Sequence, residues 1–94
     1  MRYGEVTSYA KSLRSVGDAR RLKAIHEAVS VLVECFEEGN RPPVGLGLKK
    51  LHPLLWEIRS SLQDRILFAW KKDLITFLVV GNHHDIKRFL RKRR

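Results

Sequence analysis

His83 and His84 stand side by side, with Asp85 behind them and Gly81-Asn82 in front. Histidine is the side chain whose ordinary titration range suits proton transfer near neutrality. Upstream, Arg59 and Arg65 offer two guanidiniums of the kind that fork onto phosphate oxygens. Together these are the parts needed to cleave RNA without a metal. A base takes the 2′-OH proton, cations stabilise the crowded phosphorane, and an acid protonates the leaving 5′-oxygen. DNA lacks the 2′-OH and resists that route. By type and spacing alone, a Gly-Asn-His-His stretch is more often a polar exit from a buried strand. A metal centre fits poorly, because His83, His84 and Asp85 are adjacent and cannot all face one ion from a regular element. No glycine-rich phosphate loop, serine-hydrolase elbow or zinc ribbon is present. Neither a metal nor a cofactor is expected.

The remaining candidates are less specific. Lys49-Lys50 could grip phosphate or simply be solvated, and His52 precedes Pro53, which holds it extended. His26 sits inside an apolar helical pattern without a partner at ligand spacing and reads as structural. Cys35 is a single cysteine: it excludes an internal disulfide and reads as a small buried hydrophobe. The net charge of +9 is unevenly placed. Residues 1–40 hold six basic and six acidic side chains, whereas residues 41–94 hold thirteen basic and four acidic ones. The second half therefore carries the whole excess, and a field of that sign favours a polyanion, with nucleic acid the commonest.

These residues need elements to position them. Ninety-four residues make one domain, 1–94, with room for a single core and only a surface groove as a site. Arg2 to Val6 reads as a short strand; Thr7 or Ser8 then caps a helix ending at Gly17. Asp18 caps a second helix, whose Leu22, Ile25, Val29, Leu32 and Phe36 recur at helical spacing until Gly39-Asn40 and Pro42-Pro43 end it. Residues 40–55 read as an apolar loop. From Trp56 the period is two: one strand to Ser61, a second over Arg65–Trp70, and a third, Leu74–Val80, apolar on both faces as a covered central strand would be. Trp56, Phe68 and Trp70 share a face and read as core. Asp85–Arg94 can be a short helix that must dock or fray. The class is α+β, order β-α-α-β-β-β with a short C-terminal helix. No stretch is long and apolar enough for a membrane span. The first residues lack the features of a secretory signal, so a cytoplasmic location is expected.

The stretch "LKKLHPLLWEIRSSLQDRILFAWKKDLITFLVVGNHHDIKRFLRKR", Leu48 to Arg93, resembles the second half of the RelE/ParE superfamily of bacterial toxins from toxin-antitoxin pairs. The likeness rests on a Lys-Lys-Leu segment, "LWEIR", "DRILFAW" and "GNHHD" at these distances. It implies a small curved antiparallel sheet packed on two N-terminal helices. For the RelE-like branch it implies a metal-independent endoribonuclease, an mRNA interferase acting at the ribosome and inhibiting translation, with a cognate antitoxin as partner in a hetero-oligomer. By the same resemblance Arg65 and Arg59 fall on basic strand positions that contact phosphate, and His83 or His84 on the turn residue that is general acid or base. Lys49 and Lys50 match loop lysines that touch RNA, and Lys87, Arg88 and Arg91 extend that basic surface. Many RNA-cleaving members carry a tyrosine after the turn; here Lys87 and Arg88 stand there, and Phe89 is the aromatic that could stack. Glu57 reads as the partner of a neighbouring arginine. Two other readings stay open: a ParE-like, non-catalytic inhibitor of DNA gyrase, and a non-toxic basic RNA-binding module.

Overall fold

Asp18 starts the longest helix by accepting hydrogen bonds from the backbone N–H of Arg20 and Arg21, at 2.9 and 3.2 Å. In this computed structural model, which describes residues 1–92, that helix (α2) spans Ala19–Glu38 and buries Ile25, Ala28 and Leu32. Before it come β1 (Arg2–Glu5) and α1 (Thr7–Val16); after it come a 3-10 turn (Val44–Leu46), β2 (Lys49–His52), β3 (Leu55–Arg59), β4 (Arg65–Lys71), β5 (Leu74–Gly81) and α3 (His83–Lys92). The five strands lie in the order β1-β5-β4-β3-β2. β2 to β5 form an antiparallel meander, and β1 joins β5 in parallel, so the sheet is mixed.

Two features depart from the sequence pattern for physical reasons. First, β2 lies inside the stretch that reads as a loop. It is four residues long, half of it lysine, ends at a proline and has an irregular register between Lys50 and His52, so no alternation betrays it. Second, α1 has no side-chain cap: Val6 occupies the capping position, and the serines serve the sheet instead. β1 stops opposite Phe77 while β5 runs on to Gly81. Ser8 Oγ donates to the Leu78 carbonyl at 2.6 Å, and Ser12 Oγ accepts from the Val80 N–H at 3.0 Å. The helix thus continues the ladder where the strand ends, so that buried backbone groups keep partners.

Both faces of the sheet are covered. Ile58, Ile66, Phe68, Ile75, Phe77 and Val80 pack with Tyr9, Ile25 and Leu32 toward α1 and α2, and Trp56 and Trp70 join that side. Leu67, Leu78 and Val79 face the other way and pack with Ile86, Phe89 and Leu90 of α3. A register shift opposite Leu67/Phe68 puts the consecutive Leu78 and Val79 on one side. α3 is therefore docked, with Ile86 buried, and it begins at His83 rather than Asp85. The expected helix to Arg94 extends past the described residues at Arg93 and Arg94. Cys35 is half-buried and free, and His26 is exposed. Among the described residues, no helix is long and apolar enough to cross a membrane.

Candidate nucleic-acid interface and catalytic site

Arg59 and Arg65 are direct partners across the β3–β4 ladder, and Arg65 is the partner of Gly81 at the end of β5. Directly opposed residues of an antiparallel pair point to the same face. Arg59, Arg65 and Glu57 alternate with the core residues Ile58 and Ile66, so all three lie on the α3 side. Like charges opposite each other destabilise a sheet unless something neutralises them. Part of the neutralisation is internal: Arg65 Nη1 donates to Glu57 Oε2 at 3.0 Å, and the Glu57 carboxylate is buried. Glu57 is thus an arginine's partner, as its position suggested. The compensation is incomplete. Arg65 Nε is buried without a hydrogen-bond partner, and Arg59 makes no hydrogen bond or ion pair among the described residues. A bound oxyanion would pair with the exposed Arg59, whereas the Arg65 Nε lies out of reach of solvent.

The two histidines start where this row ends. Asn82 caps α3 by reciprocal bonding: its Oδ1 accepts from the Asp85 N–H at 2.8 Å, and its own N–H donates to Asp85 Oδ2 at 2.9 Å. Asp85 is therefore the structural cap of α3. His83 and His84 occupy the first turn and are exposed, with ring centroids 6.4 Å apart, edge to face. They leave the sheet two and three residues beyond Gly81, at the level of the facing arginines.

The basic residues of α3 separate by helical spacing into two stripes. His83, Lys87 and Arg91 fall on one, at i, i+4 and i+8, with His84 between it and the other; Lys87 and Arg91, with Leu90 and His52, line a groove of about 570 Å³. His52 pairs with Leu55, at the opposite end of β3 from Arg59. The groove therefore lies on the same face as the arginine row, at the other end of β3. Arg88 lies on the other stripe, ion-paired with Asp85 at 3.7 Å. It faces a second groove, of about 310 Å³, beside Ser15, Arg21 and Lys92. Arg59, Arg65, His83 and His84 line neither groove: Arg59 and both histidines are exposed and Arg65 is partly buried. The lysine pair is split. Lys49 is opposite Glu57, on the arginine side, whereas Lys50 is opposite Trp56 and holds its ammonium 5.7 Å from that ring's centroid.

His52 escapes sequence reasoning because its neighbours in the groove come from an element thirty-five residues later; only the β2–α3 approach reveals it. Gly47 escapes it too. Its backbone has φ +64, and a Cβ there would lie 2.7 Å from Arg59 Nε. Elsewhere, Arg21 binds the buried Asp64 through two bonds of 2.8 and 2.9 Å, tying α2 to the β3–β4 turn. That carboxylate holds the Arg21 guanidinium above its usual range, chiefly through the hydrogen bonds.

No family model matches the chain, and no curated protein does. Solved structures do. A chain of the Escherichia coli DinJ-YafQ complex superposes with a TM-score of 0.75 at 10% identity, over 92% of this chain and 98% of that one. A chain of the RelB-RelE antitoxin-toxin complex from Methanococcus jannaschii gives 0.66 at 20% identity, over 95% and 98%. The YoeB/ParE toxin from Agrobacterium tumefaciens gives 0.66 at 12%, over 88% and 99%. The chain has the RelE/ParE-like toxin fold.

Proposed function

We propose that the chain is the toxin of a toxin-antitoxin pair and acts as a metal-independent endoribonuclease on messenger RNA at the ribosome. The observation that carries this reading is the facing pair Arg59 and Arg65, incompletely neutralised and level with the strand end from which His83 and His84 depart. Such a row suits a scissile phosphate: the guanidiniums take the non-bridging oxygens and stabilise the charge that builds as the 2′-oxygen attacks phosphorus. One imidazole accepts the 2′-OH proton and the other gives a proton to the departing 5′-oxygen, leaving a 2′,3′-cyclic phosphate and a free 5′-OH. By helical spacing His83 lies over Lys87 and Leu90, which line the groove, and His84 lies between Lys87 and Arg88, so both imidazoles border the binding surface. The groove with His52, Lys87 and Arg91, together with Lys49, follows the RNA backbone away from the cut. Two of the fold neighbours are antitoxin-toxin complexes by name. A cognate antitoxin with an acidic segment is the partner that would neutralise this face.

The test is induced expression followed by mapping of message ends, with His84→Ala, His83→Ala and the double variant alongside. Discrete cuts in coding regions that fall at least a hundredfold in the double variant are expected. Full toxicity of all three variants would exclude proton transfer by these residues. Intact message with an induced DNA-damage response would assign the chain to gyrase inhibition instead.

A further inference from the structure

We infer that Gly47 is a positioning residue for Arg59. This rests on the reading of Arg59 as a phosphate contact. Arg59 is exposed and makes neither a hydrogen bond nor an ion pair among the described residues, so nothing polar fixes its long side chain. A free arginine of that kind samples many rotamers, and ordering it on substrate costs binding energy. Here one wall limits it. The Arg59 guanidinium passes close over Gly47: an added Cβ would sit 2.7 Å from Nε, 3.2 Å from Nη2 and 3.4 Å from Cζ. Any side chain at 47 displaces the guanidinium.

The wall is itself anchored. Gly47 closes the 3-10 turn through its N–H to the Val44 carbonyl at 3.0 Å, and Leu46 inside that turn is buried in the core. The turn is thus pinned by an apolar anchor and offers a bare backbone surface where Arg59 passes. Arg65, opposite, is fixed by Glu57. The two guanidiniums are held by different means, one by a carboxylate and one by a glycine wall. The second device leaves every donor of Arg59 available to the substrate.

Gly39 supplies the control. It has nearly the same backbone strain, φ +70, but nothing lies within 4 Å of the Cβ it would gain. Gly39→Ala and Gly47→Ala therefore share the cost of a left-handed alanine, and only the second meets Arg59. Gly47→Ala and Gly39→Ala should lower the melting temperature by similar amounts, because the exposed Arg59 side chain moves aside at little cost. The Arg59 Nε–H resonance should shift and narrow in Gly47→Ala and stay unchanged in Gly39→Ala. RNA cleavage should fall about tenfold to a hundredfold in Gly47→Ala, with no further loss when Arg59→Ala is added. An unmoved Arg59 resonance, or cleavage in Gly47→Ala no lower than in Gly39→Ala, would overturn the positioning role. If the resonance moves as expected but the wild-type chain cuts no RNA, the wall stands and the ribonuclease reading fails.

Discussion

Glu57 decides what the two facing arginines cost. Its buried carboxylate balances Arg65 at 3.0 Å, and without it two guanidiniums would oppose each other over a half-buried surface. Breaking a buried pair by removing one partner costs about 3 to 5 kcal/mol, and the partial exposure of Arg65 favours the lower end. Glu57→Ala should therefore lower stability by about 3 kcal/mol, read as a fall in the urea midpoint with an unchanged slope. Arg65→Ala breaks the same pair from the other side and leaves the Glu57 carboxylate buried without its partner, so it should cost at least as much stability. Compared under conditions where the variant is folded, its cleavage should fall about a hundredfold, because it removes a cation from the developing phosphorane. Unchanged cutting by that variant would contradict its role. At this scale the sequence was partly legible. Residue type and the alternation of "LWEIR" point to Arg59, Arg65 and the Glu57 partnership, but nothing in the local pattern signals His52 or Gly47, whose roles exist only through contacts with distant elements.

Two elements hold the site, and each has one weak joint. α3 hangs from the end of β5 by the Asn82/Asp85 box, and Gly81 makes room for it: a Cβ there would lie 2.6 Å from Asp85 Oδ2. Gly81→Ala should push Asp85 out of the cap, costing about 1 kcal/mol, with faster amide exchange at the start of α3. Exchange no faster than in the parent chain would show that the box tolerates the methyl. The turn before β4 hangs from Arg21 through the fully buried Asp64. Asp64→Asn leaves that guanidinium with a neutral partner and should cost about 2 to 3 kcal/mol by thermal unfolding. Element types were legible where periodicity runs long, as in α2 and β3 to β5. β2 was not, since four residues with two lysines carry no period. Nor was the parallel pairing of β1, because a strand's partner is set by topology rather than by its own residues.

The whole molecule is a sheet with an apolar layer on each side and a basic surface on one. Tyr9 belongs to the larger core, and burial, reinforced by Glu5, pushes its phenol from 10.0 up to about 12. The folded state therefore holds this proton more tightly than the unfolded one. The stability this contributes is complete below pH 10 and is lost as pH rises toward 12, amounting to about 2 to 3 kcal/mol. Tyr9→Phe should flatten the decline in stability across that window; an unchanged decline would assign it to other groups. On the surface, Arg59 and Arg65 at one end and His52, Lys87 and Arg91 at the other are joined by β3 and α3, which run about 13 Å and about 10 Å between them. Such a track binds through phosphates and weakens steeply with salt. The most direct measurement is cleavage of a ribosome-bound message by the purified chain in chelator, against the same message with a 2′-deoxy or 2′-O-methyl sugar at the cut. Scission yielding a 2′,3′-cyclic phosphate, abolished by that single sugar change and by the double histidine variant, is the expected result. Scission that persists with the modified sugar, or an intact message under every condition, would contradict the proposed chemistry.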